Sequence, residues 1–72
     1  MEFGMKHLGT VKSFNEAIGR GLIKPDSGGE YLIFERSGIY FDRRIPPVEG
    51  QRLTYELGVT DGQRCAVNLG NV

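Results

Sequence analysis

The sequence predicts a small all-β domain, a five-stranded antiparallel barrel. Three observations lead there: eleven glycines in 72 residues, short segments in which apolar and polar residues alternate with period two, and the absence of helical periodicity or helix start signals. Glycine at that density supplies many tight turns, which suits a barrel of short strands better than a helical bundle.

The elements follow in order. Residues 1–4 read as a loose lead-in, with Phe3 either a tail residue or a clip onto the barrel. A first strand runs from Met5 to Phe14, with Val11 as its core candidate and Lys12 pointing the opposite way by alternation. Asn15, Glu16 and Ala17 form a turn. A second strand, Arg20 to Lys24, puts Gly21 and Ile23 on one face and Arg20, Leu22 and Lys24 on the other, and Ile23 is its core member. In the cluster Pro25-Asp26-Ser27-Gly28-Gly29, proline presets φ, the aspartate can bond its own backbone and the glycines accept positive φ, so the chain turns again.

A third strand, Tyr31 to Arg36, sets Leu32 and Phe34 on one face against Ile33 and Glu35 on the other. Residues 37–50 show no period, and the adjacent Pro46 and Pro47 exclude regular pairing. This is a long loop carrying Tyr40, Phe41, Arg43 and Arg44, one of whose rings is expected to cap an open end of the barrel. Leu53, Tyr55 and Leu57 alternate through a fourth strand, Thr60-Asp61-Gly62 reverses the chain, and Cys65, Val67 and Leu69 alternate through a fifth. Five short strands with one long connection after the third describe an OB-type barrel, one domain over residues 1–72.

Composition removes several function classes. A single Cys and a single His make neither an internal disulfide nor a structural zinc site, so no metal or cofactor is expected. Cys65 reads as a small core residue and His7 as an ordinary strand-edge residue. The carboxylates Asp26, Glu30, Glu35, Asp42 and Asp61 fall at turns and alternating surface positions, and no nucleophile, base and orienting group can be assembled, so the chain is not read as an enzyme. No apolar run approaches 18 residues and residues 1–8 lack a signal-peptide pattern, so no membrane partner and a cytoplasmic location are the default expectations. Nine basic residues balance nine acidic ones. Nucleic-acid binding would therefore depend on segregation of charge onto one face.

The stretch Gly9 to Ile23, GTVKSFNEAIGRGLI, resembles the opening of a bacterial cold-shock domain, whose pattern here is G-x-V-K-W-F-N-x-x-K-G-F-G-F-I. The likeness extends without a gap from about Lys6 to Leu69. It takes in Gly9, Val11, Lys12, Phe14, Asn15, Gly19, Gly21, Ile23, Pro25-Asp26 and Gly28, then Ser37, Ile39, Glu49-Gly50-Gln51, Ala66, Asn68 and Leu69. The resemblance implies an OB barrel that binds single-stranded RNA or DNA, with bases stacked on strand aromatics and Lys and Arg following the phosphates. Several aromatic positions are exchanged: Ser13 stands where Trp is usual, Arg20 and Leu22 where two Phe are usual, and Ile18 where Lys is usual. The second motif, V-F-V-H-F in the family, is Leu32-Ile33-Phe34-Glu35-Arg36, which turns three outward positions into Ile33, Glu35 and Arg36 and sends Phe34 inward.

Carried over by position, the resemblance implies a nucleic-acid surface of Lys12, Phe14, Arg20, Lys24, Tyr31 and Arg36, with Arg43 and Arg44 in the long loop. A base–aromatic stack is worth ~1–3 kcal/mol, so losing two at ~1 kcal/mol apiece weakens binding about thirtyfold. Glu35 repels phosphate further, while Arg20 and Arg36 offer guanidinium groups that stack on bases. The expected function is single-stranded nucleic-acid binding through a weakened or altered surface. The alternative is a protein-interaction or self-associating module whose contact patch is Leu22 and Ile33, which the alternation places side by side. A phosphate-tracking stripe of Lys12, Arg20, Lys24 and Arg36, and ordinary solvated ion pairs of Arg20 or Arg36 with Glu35, stay equally open.

Overall fold

The computed structural model describes residues 5–39 and 45–72. Phe3, Tyr40, Phe41, Arg43 and Arg44, with the expectations attached to them, lie outside the described residues. Five strands, β1 (His7–Asn15), β2 (Arg20–Pro25), β3 (Leu32–Glu35), β4 (Arg52–Thr60) and β5 (Gln63–Asn71), close into a barrel in the order β1-β2-β3-β5-β4.

The all-antiparallel expectation is corrected at one seam. β1–β2, β2–β3, β1–β4 and β4–β5 are antiparallel, but β3 meets β5 in parallel at Ile33–Cys65, extended by an isolated parallel bridge between Ile39 and Leu69. The reason is parity: a closed ring with an odd number of strands cannot alternate direction all the way round. The connection after β3 crosses to lay β4 beside β1, and the one like-directed pair falls where β5 closes on β3.

Two strand ends also differ from the period-two reading. β3 is only four residues long, so Tyr31 precedes it and Arg36 opens a 3-10 turn, Arg36–Gly38. The segment after it is not simply loop, since Ile39 is 1% exposed and part of the core. Pairing along β1 shifts between Val11 and Ser13, which makes Lys12 the extra residue of a β-bulge; Lys12 and Ser13 both face solvent. The backbone at the bulge stays satisfied, because the Val11 N–H donates to the Gln51 carbonyl and the Val11 carbonyl accepts from the Gly50 N–H, each at 2.8 Å.

Val11, Ile23, Leu32, Phe34, Ile39, Leu53, Tyr55, Ala66 and Leu69 form the core. Phe34 is the bulkiest fully buried side chain, and it fits because Gly21 lies opposite it in the β2–β3 register. A Cβ on Gly21 would press on the Ser13 carbonyl oxygen and come within 2.7 Å of the Phe34 ring. In β5 the expected Cys65, Val67, Leu69 alternation breaks. Asn68 takes φ 51°, which resets the phase, so Ala66 enters the core and Val67 is only half-buried. Leu57, expected to continue the inner face of β4, is 45% exposed, because the β4–β5 hairpin projects past the barrel. That hairpin turns on Asp61 (φ 54°) and Gly62 (φ 75°), the two-residue left-handed turn that matches strand twist. Among the described residues no helix is long and apolar enough to cross a membrane, and no group of three His, Cys, Asp or Glu could hold a metal ion.

Candidate nucleic-acid interface

The outward face of β1–β3 is ordered by register. Ser13, Leu22, Ile33 and Cys65 form one row across four strands, and Asn15, Arg20 and Glu35 form the next. On the other side of the apolar row stand Lys12, raised by the bulge, and Lys24 at the far end of β2, both exposed. Continuing the β2–β3 register past Ile23–Leu32 puts Tyr31, 45% exposed, opposite Lys24. The structure therefore brings Lys12, Arg20, Lys24 and Tyr31 around a small aliphatic strip. Leu22 and Ile33 are neighbours, as alternation requires, but each is only half-buried rather than fully displayed.

Phe14 and Arg36 are committed elsewhere. The Phe14 ring is half-buried and stacked on Phe34, centroids 5.7 Å apart and planes 11° from parallel. The Arg36 guanidinium lies over the Phe14 ring at 5.7 Å from its centroid, and its Nη2 donates to the Glu16 carbonyl at 2.9 Å. The Arg36 N–H donates to the Gly19 carbonyl at 2.8 Å, so both ends of this residue pin the β1–β2 turn. Within the turn, the Asn15 side-chain oxygen accepts from the Ala17 N–H at 2.9 Å, which holds the reversal in place. Arg20 is paired: its Nε lies 3.4 Å from Glu35 Oε2, both side chains about half exposed. The solvated-pair reading thus describes Arg20, while Lys12 and Lys24 have no ion-pair partner among the described residues.

One part of the face was missed by sequence reasoning. Because β5 closes on β3, the β4–β5 hairpin stands beside the outer face of β3, and a groove of about 220 Å³ opens between them. Ile33, Glu35, Thr60, Gln63 and Cys65 line it. Thr60 Oγ1 and Cys65 Sγ are 3.4 Å apart in its wall; Cys65 is buried at 8% exposure, but it lies in the outer row against Ile33 and outside the core cluster where alternation with Leu69 would place it. The only signal that could have found the groove is the parity of a five-strand ring.

At the opposite side, His7 stacks on Tyr55 with centroids 5.4 Å apart. Burial of the Tyr55 hydroxyl pushes its pKa up, the nearby Asp26 adds to the rise, and Arg64 partly offsets it. Asp26 itself pairs with Arg52 Nη2 at 2.5 Å, tying the β2–β3 turn to the start of β4.

A closed five-stranded barrel with a cation-bearing outer face and one long crossover is an OB-type domain, and the comparisons specify which kind. No family model matches the chain. It is 38% identical over 69 residues to Glycine-rich protein 2 of Nicotiana sylvestris, covering 94% of this chain and 32% of that protein. It is 43% identical over 49 residues to the cold shock-like protein CspA of Stigmatella aurantiaca, covering 68% of this chain and 72% of that protein. Over 63 residues it is 36% identical to the cold shock protein CspA of Rhizobium meliloti, 85% of this chain and 91% of that protein. The solved structure of Drosophila Unr CSD456 superposes with a TM-score of 0.77 at 15% identity, covering 94% of this chain and 27% of that one, and so supports the fold. The chain belongs to the cold shock protein family, whose members are non-enzymatic nucleic-acid binders. It spans about a third of the length of the Nicotiana relative.

Proposed function

We propose that this chain binds single-stranded RNA or DNA across the outer face of β1–β3, with lower affinity than a face carrying the usual aromatics would give. The observation that supports the reading is the placing of Lys12 and Lys24 beside the Leu22–Ile33 strip, on the sheet face of a cold-shock barrel. Two ammonium groups with no ion-pair partner among the described residues can follow phosphates, and half-buried aliphatic side chains give bases an apolar floor without the stacking energy of rings. Tyr31 is the exposed ring at the edge of this floor. Arg20 contributes less than a free cation, because Glu35 partly neutralises it, and Arg36 contributes as a fixed guanidinium at the turn. Leu22 and Ile33 are too enclosed to make the apolar patch a protein docking surface would need, so the protein-interaction reading is the weaker one.

The test is titration of short pyrimidine-rich oligonucleotides over a range of salt. Binding at low salt is expected, with log K falling against log salt at a slope of about 1.4 if Lys12 and Lys24 alone are engaged, or about 2.8 if Arg20 and Arg36 join them. The double substitution Leu22→Phe with Ile33→Phe is expected to tighten binding at least tenfold, from restored stacking. No binding at low salt overturns the proposal, and an unchanged affinity in the double variant moves the site off this face.

A further inference from the structure

We propose that the groove between β3 and the β4–β5 hairpin is a guanine subsite, with Glu35 as the residue that reads the base. This rests on the reading of the β1–β3 face as a single-strand surface, and it names a base preference for that surface. At about 220 Å³ the groove is smaller than the roughly 300–1,000 Å³ of pockets that enclose larger ligands, so it suits one base rather than a length of strand. It is continuous with the face, since Arg20, Ile33 and Glu35 belong to both. Its floor is apolar, with Ile33 and Cys65, and its walls carry hydrogen-bonding side chains.

Shape and apolar surface decide which part of a nucleotide enters. Glu35 and Asp61 line the groove together with Arg20 and Arg64, so its charges balance and give a phosphate no net pull inward, while Ile33 and Cys65 offer an apolar surface to the flat face of a base, with the phosphate left towards Lys12 and Lys24. Hydrogen-bond chemistry then separates the bases. A carboxylate only accepts, and its two oxygens have room for several donors. Oε2 of Glu35 is held by Arg20 at 3.4 Å, which orients the group without exhausting it. Guanine alone offers two adjacent N–H donors on one edge, at N1 and N2, to match such a fork. Its O6 acceptor lies beside N1 and is shared with the adjoining edge that carries N7, and the side chains of Thr60 and Gln63, on the hairpin side of the groove, can donate to that edge. Cytosine and adenine present one exocyclic amine beside an acceptor, which the carboxylate repels, and thymine presents a single ring N–H.

The experiment compares a seven-residue oligothymidylate with the same strand carrying one central dG, dA or dC, at a fixed low salt concentration. The dG strand is expected to bind about fivefold to a hundredfold more tightly than the others. Glu35→Gln is expected to reduce that preference below twofold while affinity for oligothymidylate rises, because Arg20 is no longer neutralised, an outcome loss of fold would not produce. In parallel, guanosine, adenosine, cytidine and uridine monophosphates are titrated against the labelled protein, following the amide resonances of Ser37, Gln63 and Cys65. Shifts selective for guanosine monophosphate support the subsite, even if no oligonucleotide binds and the broader reading fails. Oligonucleotide binding without a dG preference, a preference that survives Glu35→Gln, or monophosphate shifts that are equal or absent overturns the subsite and leaves the broader reading standing on its own titration.

Discussion

The inner and outer faces of β1–β3 are built by the same three strands, yet they are held to different standards. Inside, Phe34 lies against Gly21 with no room for a methyl group, and Phe14 stacks on it from the open side. Outside, Leu22 and Ile33 are only half-buried and Arg20 and Glu35 form an exposed pair. Period-two geometry gives each face its own residues, so the outer set can be exchanged without touching the packing that defines the barrel. A cold-shock domain can therefore change its ligand surface while keeping its fold, and the difference is measurable on each side.

The inner face is where the largest loss is expected. Phe34→Ala should cost about 3–5 kcal/mol, from about a third to the whole of the roughly 4–10 kcal/mol available to a domain of this size, and urea unfolding would show the midpoint fall sharply. A loss under 1 kcal/mol would mean that the two faces do not differ in the way argued. Next comes the alkaline limb of stability. Because the Tyr55 pKa is raised in the folded protein above 10.0, its contribution is fully present below pH 10.0 and is lost as pH rises through the folded value. Melting temperature should fall above pH 10, and Tyr55→Phe should remove part of that fall; an identical alkaline limb in the variant would remove Tyr55 as its source. The smallest effect is expected outside: Arg20→Ala should cost about 0–1 kcal/mol of stability, since the pair is exposed.

The sequence made legible what is local and unbroken. Val11 and Ile23 as inner residues, Phe34 turned inward, and Arg20, Leu22 and Lys24 turned outward all follow from alternation within a single strand, and all stand in the structure. Alternation assumes one residue per step and a partner set by the adjacent turn. It fails where either assumption fails: at Lys12, where a bulge adds a residue; at Asn68, where left-handed backbone shifts the phase of β5; and at the β3–β5 seam, where the partners are more than 30 positions apart. The candidate site divides the same way. Lys12, Arg20 and Lys24 could be assigned to one face from sequence, but the competing commitments of Arg20, Phe14 and Arg36 depend on side-chain geometry, and the groove depends on a seam that no short motif encodes.

The parallel seam has a consequence for assembly. With β5 paired to β3, every described strand has a neighbour on both sides along part of its length, so among the described residues no strand is left wholly open as a template for another chain. The single edges that stay are short, the end of β1 past Val11 and the tip of the β4–β5 hairpin. Strand exchange would first require the barrel to open at a seam, and detaching β5 alone would expose two raw edges, β3 and β4, at once.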